Sequence, residues 1–183
     1  FAECLIPLID KNQNKAVEQA SEIINSFEKK YEEKWLNMMR DKLGLFGVDE
    51  KDKYLILDLL TWMHQEKMDY TNTFCHLMNI KIQNKENFKK TDFENWKKRW
   101  QERLKINNNT PEKYLKLMRS VNPLVIPRNH KVEEVLNEAN NGNIEPFNQF
   151  LEVLNKPYLE QKNIINYQIP LSSNEKYQTF CGT

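Results

Sequence analysis

Glycine is nearly absent from this sequence. Four occur in 183 residues: Gly44, Gly47, Gly142 and Gly182. At those spacings they build neither a G-x-G-x-x-G loop nor a Walker A loop, which need glycines close together so that backbone N–H groups can wrap a phosphate. The H-R-D and D-F-G elements of a protein kinase are missing too. The residues themselves therefore offer no catalytic, cofactor-binding or metal site. Cysteine is also scarce. Cys4, Cys75 and Cys181 are too few and too scattered for a disulfide framework, which favours a reducing, cytoplasmic compartment. No apolar run approaches the length of a membrane span. The opening "FAECLIPLID" lacks the basic start and long apolar core of a signal peptide. An excess of either charge is likewise absent, with Lys+Arg 27 against Asp+Glu 26. Neither nucleic acid nor a membrane is expected as a partner on that ground. The chain begins at Phe1 without an initiator methionine, which fits a piece of a longer protein.

What is present is helical periodicity. Charged residues make up 29% and hydrophobic residues 39%, an ordinary balance for a soluble globular protein. A chain of this length buries roughly 70% of its unfolded surface on folding. From Ala16 to Leu43, apolar residues fall at Ala16, Ala20, Ile23, Phe27, Tyr31, Trp35, Met38 and Met39, at helical spacing and with no breaker. This is one long helix or two meeting near Lys29-Lys30, stopped by Gly44. Asp49 is positioned to cap "DKYLILDLLTWMHQEK", which is apolar nearly all round and so predicted at the centre of the core. "MDYTNTFCHLM" predicts a shorter helix started by Asp69 or Thr71. "DFENWKKRWQERLK" lines up Phe93, Trp96, Trp100 and Leu104, and Thr110-Pro111 launches "EKYLKLMRS". Asn129 and Asn143 are the expected caps of a final αα-hairpin, turned at Asn141-Gly142 and closed by Lys156-Pro157. From Tyr158 the periodicity fades into an extended tail. The predicted fold class is all-α, with a helical region over 1–157 and an extended tail over 158–183. "PLVIP" is the β-richest run, but proline at both ends makes it an extended segment.

Few residues suggest chemistry. His64, Cys75 and His76 lack the second ligand pair a metal site needs, and packing explains them better. "WKKRWQER" mixes aromatic and basic residues as nucleic-acid binders do, yet on a helix the tryptophans face one way and most charges the other. A solvated face over a buried stripe is the simpler reading. "NPLVIPRNH", residues 122–130, is the stretch that stands out. Its two prolines fix a rigid elbow between helices, with Leu124, Val125 and Ile126 available to pin it. Arg128, Asn129 and His130 follow at a helix start, where backbone N–H groups favour anions. Their structural reading is that Asn129 caps, Arg128 pairs with a carboxylate and His130 packs. Cys181 sits third from the end with little apolar cover, so its thiol is expected to be accessible, and on the residues alone the simpler reading is a terminal residue with no role. Cys4 and Cys75, on apolar helical faces, are expected to be protected.

The run "NPLVIPRNHKVEEVLNEANNGNIEPFNQFLEVLNKPY" with the terminal "TFCGT" resembles the C-terminal part of the selenoprotein O family. "YEEKWLNMMRDKLGL" and "MDYTNTFCHL" look like further blocks of the same region, in the same order. The resemblance implies a longer bacterial protein whose kinase-like part precedes this region. That part binds ATP and Mg²⁺ and transfers AMP to Ser, Thr or Tyr hydroxyls of protein substrates. The family's catalytic lysine, metal-binding Asp and Asn, and phosphate-contacting arginines all belong to it, so this segment is expected to be inactive alone. Cys181 stands where some members carry selenocysteine, followed by Gly182-Thr183 where others carry two serines. The implied role of the segment is to buttress the kinase-like part and to carry a redox-active tail, with Arg128, Asn129 and His130 as contacts to that part. The alternative is an independent helical protein-interaction module.

Overall fold

The computed structural model describes residues 1–82, 86–106, 110–162 and 164–171. Cys181 and the terminal "TFCGT" lie outside the described residues. The chain divides into two compact units, Phe1–Met39 and Arg40–Thr183. Among the described residues there are helices and no strands, so the fold is all-α.

The first unit holds α1 (Ala2–Ile9) and most of α2 (Gln13–Lys42). The Asn12 side chain starts α2 by accepting from the backbone N–H groups of Asn14 and Lys15, at 3.0 and 3.2 Å. The choice left open at Lys29-Lys30 goes to a single uninterrupted helix. Nothing in α1 is buried, and Ala16 and Met39 are the buried residues of α2. Cys4, expected to be protected, is exposed, because the apolar face of α1 lies open.

The second unit carries the core. Gly44 ends α2 in the left-handed region at φ +70°, and a Cβ there would meet Tyr114 Cβ at 2.9 Å. Conformation and close approach both require glycine at that position. α3 (Asp52–Gln65) packs against α5 (Thr91–Leu104). Leu55, Ile56, Leu59, Trp62 and Met63 of α3 are buried, but Leu57 is 41% exposed. The helix is therefore one-sided rather than wrapped all round. Asp49 is not its cap. Lys51 holds that position, and the Asp49 carboxylate accepts from the Lys51 N–H one turn earlier at 2.8 Å.

The tryptophan stripe of α5 is buried, as its spacing predicts. Trp96 Nε1 donates to Leu55 O at 2.8 Å and Trp100 Nε1 to Leu43 O at 2.9 Å, so each indole enters the core with its polar atom satisfied. A 3₁₀ turn at Glu86–Lys89 adds Phe88, whose ring stacks on His76. His76 is thus half-buried against an aromatic ring, and His64 is exposed on α3.

α4 (Tyr70–Leu77) starts at Asp69, whose carboxylate accepts from Asn72 N–H. α6 (Pro111–Val121) starts at Thr110, whose hydroxyl accepts from Lys113 N–H. α7 (Asn129–Asn140) and α8 (Glu145–Leu154) form the predicted hairpin, turned at Gly142 with φ +90°. Neither expected asparagine caps its helix. Asn129 is the first helical residue of α7, and Asn143 donates instead to Glu138 at 3.1 Å. The stretch after Tyr158 is not wholly extended, since α9 (Ile164–Gln168) interrupts it.

Candidate functional site

The elbow at 122–128 is where the second unit concentrates buried polar groups. Leu124 and Val125 are each 1% exposed and pin it to the core, while Ile126 is half-buried. Leu124 N–H donates to Pro157 O at 2.7 Å, tying the elbow to the chain just past α8. Asn122, 1% exposed, is held at both ends of its side chain. Its amide donates to Lys42 O and Met118 O, both at 2.9 Å, and its oxygen accepts from Lys42 Nζ at 3.1 Å. The Lys42 ammonium also lies 4.9 Å from the Phe74 ring centroid and 5.5 Å from that of Tyr70. Burial lowers the Lys42 pKa, with the neighbouring Cys75 opposing that shift, and burial raises that of Tyr70.

Arg128 turns inward. Its guanidinium makes a two-pronged pair with Asp69, at 2.7 and 2.8 Å, and its side chain is 9% exposed. One carboxylate thus caps α4 and holds the start of α7, joining two helix N-termini 59 residues apart. Asn129 is exposed and His130 half-exposed, so the elbow does not bring the three residues into one pocket.

Beneath the elbow, α9 inserts Gln168, 2% exposed. Its amide donates to Leu124 O at 2.7 Å, and its backbone carbonyl accepts from the Asn72 amide at 3.0 Å. The Cys75 thiol lies 3.9 Å from Pro123 O and 4.0 Å from Gln168 Nε2. Burial, then the nearby Asp69 carboxylate, pushes this thiol up to about 12, against the opposing pull of Arg128 and Lys42. Cys75 is therefore a neutral thiol at physiological pH and a poor nucleophile. Arg128 Nε, Asn72 Oδ1 and Gln168 Oε1 are buried in this knot with no hydrogen-bond partner among the described residues. Such a group costs about 1–3 kcal/mol unless an ordered water meets it.

A second polar cluster lies at the foot of α3. Asp52, 1% exposed, accepts from Arg40 Nε at 2.7 Å and Arg103 Nε at 2.6 Å. Arg103 also donates to the backbone carbonyls of Phe46 and Gly47, each at 3.3 Å. Burial pushes the Asp52 carboxyl up. The hydrogen bonds from Arg103 and Arg40 outweigh that push and hold it below the ordinary carboxylate range. An open cleft of about 450 Å³ adjoins the cluster, lined by Tyr54, Leu55, Arg99, Glu102 and Ile106. The buried charges beside it are already committed to one another.

Among the described residues no group of three His, Cys, Asp or Glu side chains is placed to hold a metal ion. No helix among them is long and apolar enough to cross a membrane. Sequence reasoning missed Asp52, Asn72, Asn122 and Gln168 as buried polar residues. Their partners lie up to 96 residues away, and no local pattern signals such pairings.

The chain is matched by the family model of the protein adenylyltransferase SelO over residues 1–155. It is 53% identical to the protein nucleotidyltransferase YdiU of Pelagibacter ubique (strain HTCC1062), across all of this chain and 38% of that protein. The corresponding nucleotidyltransferases of Alcanivorax borkumensis and Clostridium botulinum (strain 657 / Type Ba4) are 43% and 44% identical over the same shares. The chain thus spans less than half the length of these curated relatives. With that family match covering most of its residues, and relatives more than 40% identical across its whole length, the chain belongs to the SelO family of protein adenylyltransferases.

Proposed function

We propose that this chain is the helical part of a protein adenylyltransferase that moves AMP from ATP onto Ser, Thr or Tyr hydroxyls of other proteins. The observation that carries the reading is the coverage: all of this chain matches 38% of proteins named nucleotidyltransferases. The scarcity of glycine and the pairing of Asp52 with Arg103 and of Asp69 with Arg128 support placing the triphosphate site outside this segment. ATP and Mg²⁺ are accordingly assigned to the kinase-like part of the parent protein, and this segment buttresses that part. At the elbow, Asn129 and His130 face outward toward it, and Arg128 sets their helix through Asp69. Cys181 serves as the redox-sensitive thiol of the tail.

Calorimetric titration and an AMP-transfer assay, run on this segment and on the full-length protein, test the reading. The full-length protein binds ATP–Mg²⁺ and labels a protein substrate, and the segment does neither. Tight ATP binding by the segment alone would overturn the assignment of the nucleotide to the remainder. Cys181→Ser removes any dependence of the full-length rate on reductant while leaving the reduced rate in place. A serine variant that keeps its redox response refutes the role given to the tail.

A further inference from the structure

The first unit carries an apolar surface that its own residues leave open. In α2, Val17, Ala20, Ile23, Ile24, Phe27, Tyr31, Trp35 and Met38 fall within an arc of roughly 120° at the pitch of an α-helix. Of the charged residues between 17 and 38, only Lys34 shares that arc. A stripe so well ordered is the mark of a helix face built to be covered. Yet Ile23 is 65% exposed, Phe27 66% and Tyr31 61%. The Phe27 and Tyr31 rings stack on each other at 6.1 Å, which extends the flat apolar surface instead of breaking it. α1 adds Leu8, exposed like the stripe, and buries none of its residues. Contiguous apolar patches of this kind on a soluble protein mark a binding surface.

We infer that the α2 stripe, centred on Ile24, Phe27 and Tyr31, is the seat for the portion of the parent protein that this chain does not include. This rests on the reading given under Proposed function and deepens it by naming the surface. Two observations select that occupant. First, more than half the length of each relative lies outside the stretch that matches this chain, so a large covalently linked partner is at hand. A tethered partner meets the stripe at a high effective concentration. Second, the charges outside the stripe between residues 17 and 38 are mainly acidic: Glu18, Glu22, Glu28, Glu32 and Glu33 against Lys29 and Lys30. An anionic membrane or nucleic acid selects a basic flank, and this one has none. The elbow, by contrast, spends its arginine on Asp69, so the apolar stripe rather than Arg128 is the principal contact.

The test is thiol labelling of Phe27→Cys in this segment and in the full-length protein, with buried Cys75 as the internal check of folding. AMP transfer and sedimentation are measured on the same samples. In the native full-length protein the introduced thiol reacts more slowly, by about tenfold or more, than in the same protein unfolded by denaturant. In the segment it reacts at the unfolded rate while Cys75 stays protected and the segment sediments as a monomer. Equal rates in native and unfolded full-length protein would overturn the docking inference. If AMP transfer persists in that sample, the proposed function survives the loss. Protection in the full-length variant, with no AMP transfer by the unsubstituted full-length protein, keeps the docking surface and removes the function. A segment that dimerises and protects the thiol by itself makes a second copy the occupant, and the inference is wrong. Should Cys75 of the segment label at once, the segment is unfolded alone and the comparison within the full-length protein decides.

Discussion

α2 up to Met39 and α5 share a period and differ in fate. Both set large apolar and aromatic residues along one helical face, with charges opposite. In α5, Phe93, Trp96, Trp100 and Leu104 are 0–5% exposed, and both tryptophan N–H groups find carbonyls on neighbouring elements. In α2, Ile23, Phe27 and Tyr31 are more than half exposed. The period of a helix says which face is apolar. It does not say what lies on that face, because burial is decided by segments elsewhere in the chain. The second unit supplies those segments for its own helices.

The largest expected effect comes from the second unit's buried charges. Asp52→Ala leaves Arg40 and Arg103 buried without their carboxylate and costs about 3–5 kcal/mol in denaturant unfolding. Because the native carboxyl titrates below its ordinary range, its contribution is present at and above the unfolded carboxylate pKa. It is lost as pH falls through the depressed native value. Asp52→Asn therefore flattens the acid limb of the stability profile. An unchanged acid limb would place the acid sensitivity elsewhere.

Matching aromatic truncations put the two helices in direct contrast. Phe93→Ala in the core costs about 3–5 kcal/mol. Phe27→Ala in this segment stays within about 0.5 kcal/mol, as for other exposed sites. Chemical denaturation of both variants measures the gap, and a large loss from Phe27→Ala would erase the distinction between the units.

A smaller effect belongs to the elbow. Arg128→Ala removes a two-pronged ionic pair but leaves Asp69 capping α4, for a loss of about 1.5–3 kcal/mol. No loss of stability would mean that the pair does not hold the elbow and that Arg128 works outward.

Thiol reactivity sharpens the comparison without changing stability. At mildly alkaline pH, Cys4 labels at once and Cys75 only on unfolding, since its thiol is buried and titrates near 12. Mass mapping of labelled peptides reads both. Rapid labelling of Cys75 in folded protein would show that the Gln168 plug opens.

Local signals were legible where one side chain and one backbone segment suffice. Thr110 caps as read, Asp69 is the cap of the two starts offered for α4, and Gly44 and Gly142 turn as read. Asn129 and Asn143 show the limit of that reasoning. Each is a good cap by type, but Arg128 and Ile144 take the cap positions, because the entry of each helix follows the elbow and the hairpin turn rather than the best local donor–acceptor match. α9 was invisible for the same reason. Five residues give too short a period to read, and their helix is held by Gln168 reaching Leu124 and by Tyr167 stacking on Phe150.

By itself the sequence determined the all-α class, most of the helices and the tryptophan stripe of α5. Those follow from residue types at short, regular spacings, which backbone geometry converts directly into faces and ends. Only the tertiary structure decided that Asp69 serves two helices, that Asp52 sits between two arginines, that Gln168 plugs the elbow and that the stripe of α2 stands open. Each of these depends on which distant segment arrives at a given side chain, and the free energy of burying a charge or an aromatic ring is set by that partner, not by the residue's neighbours in sequence.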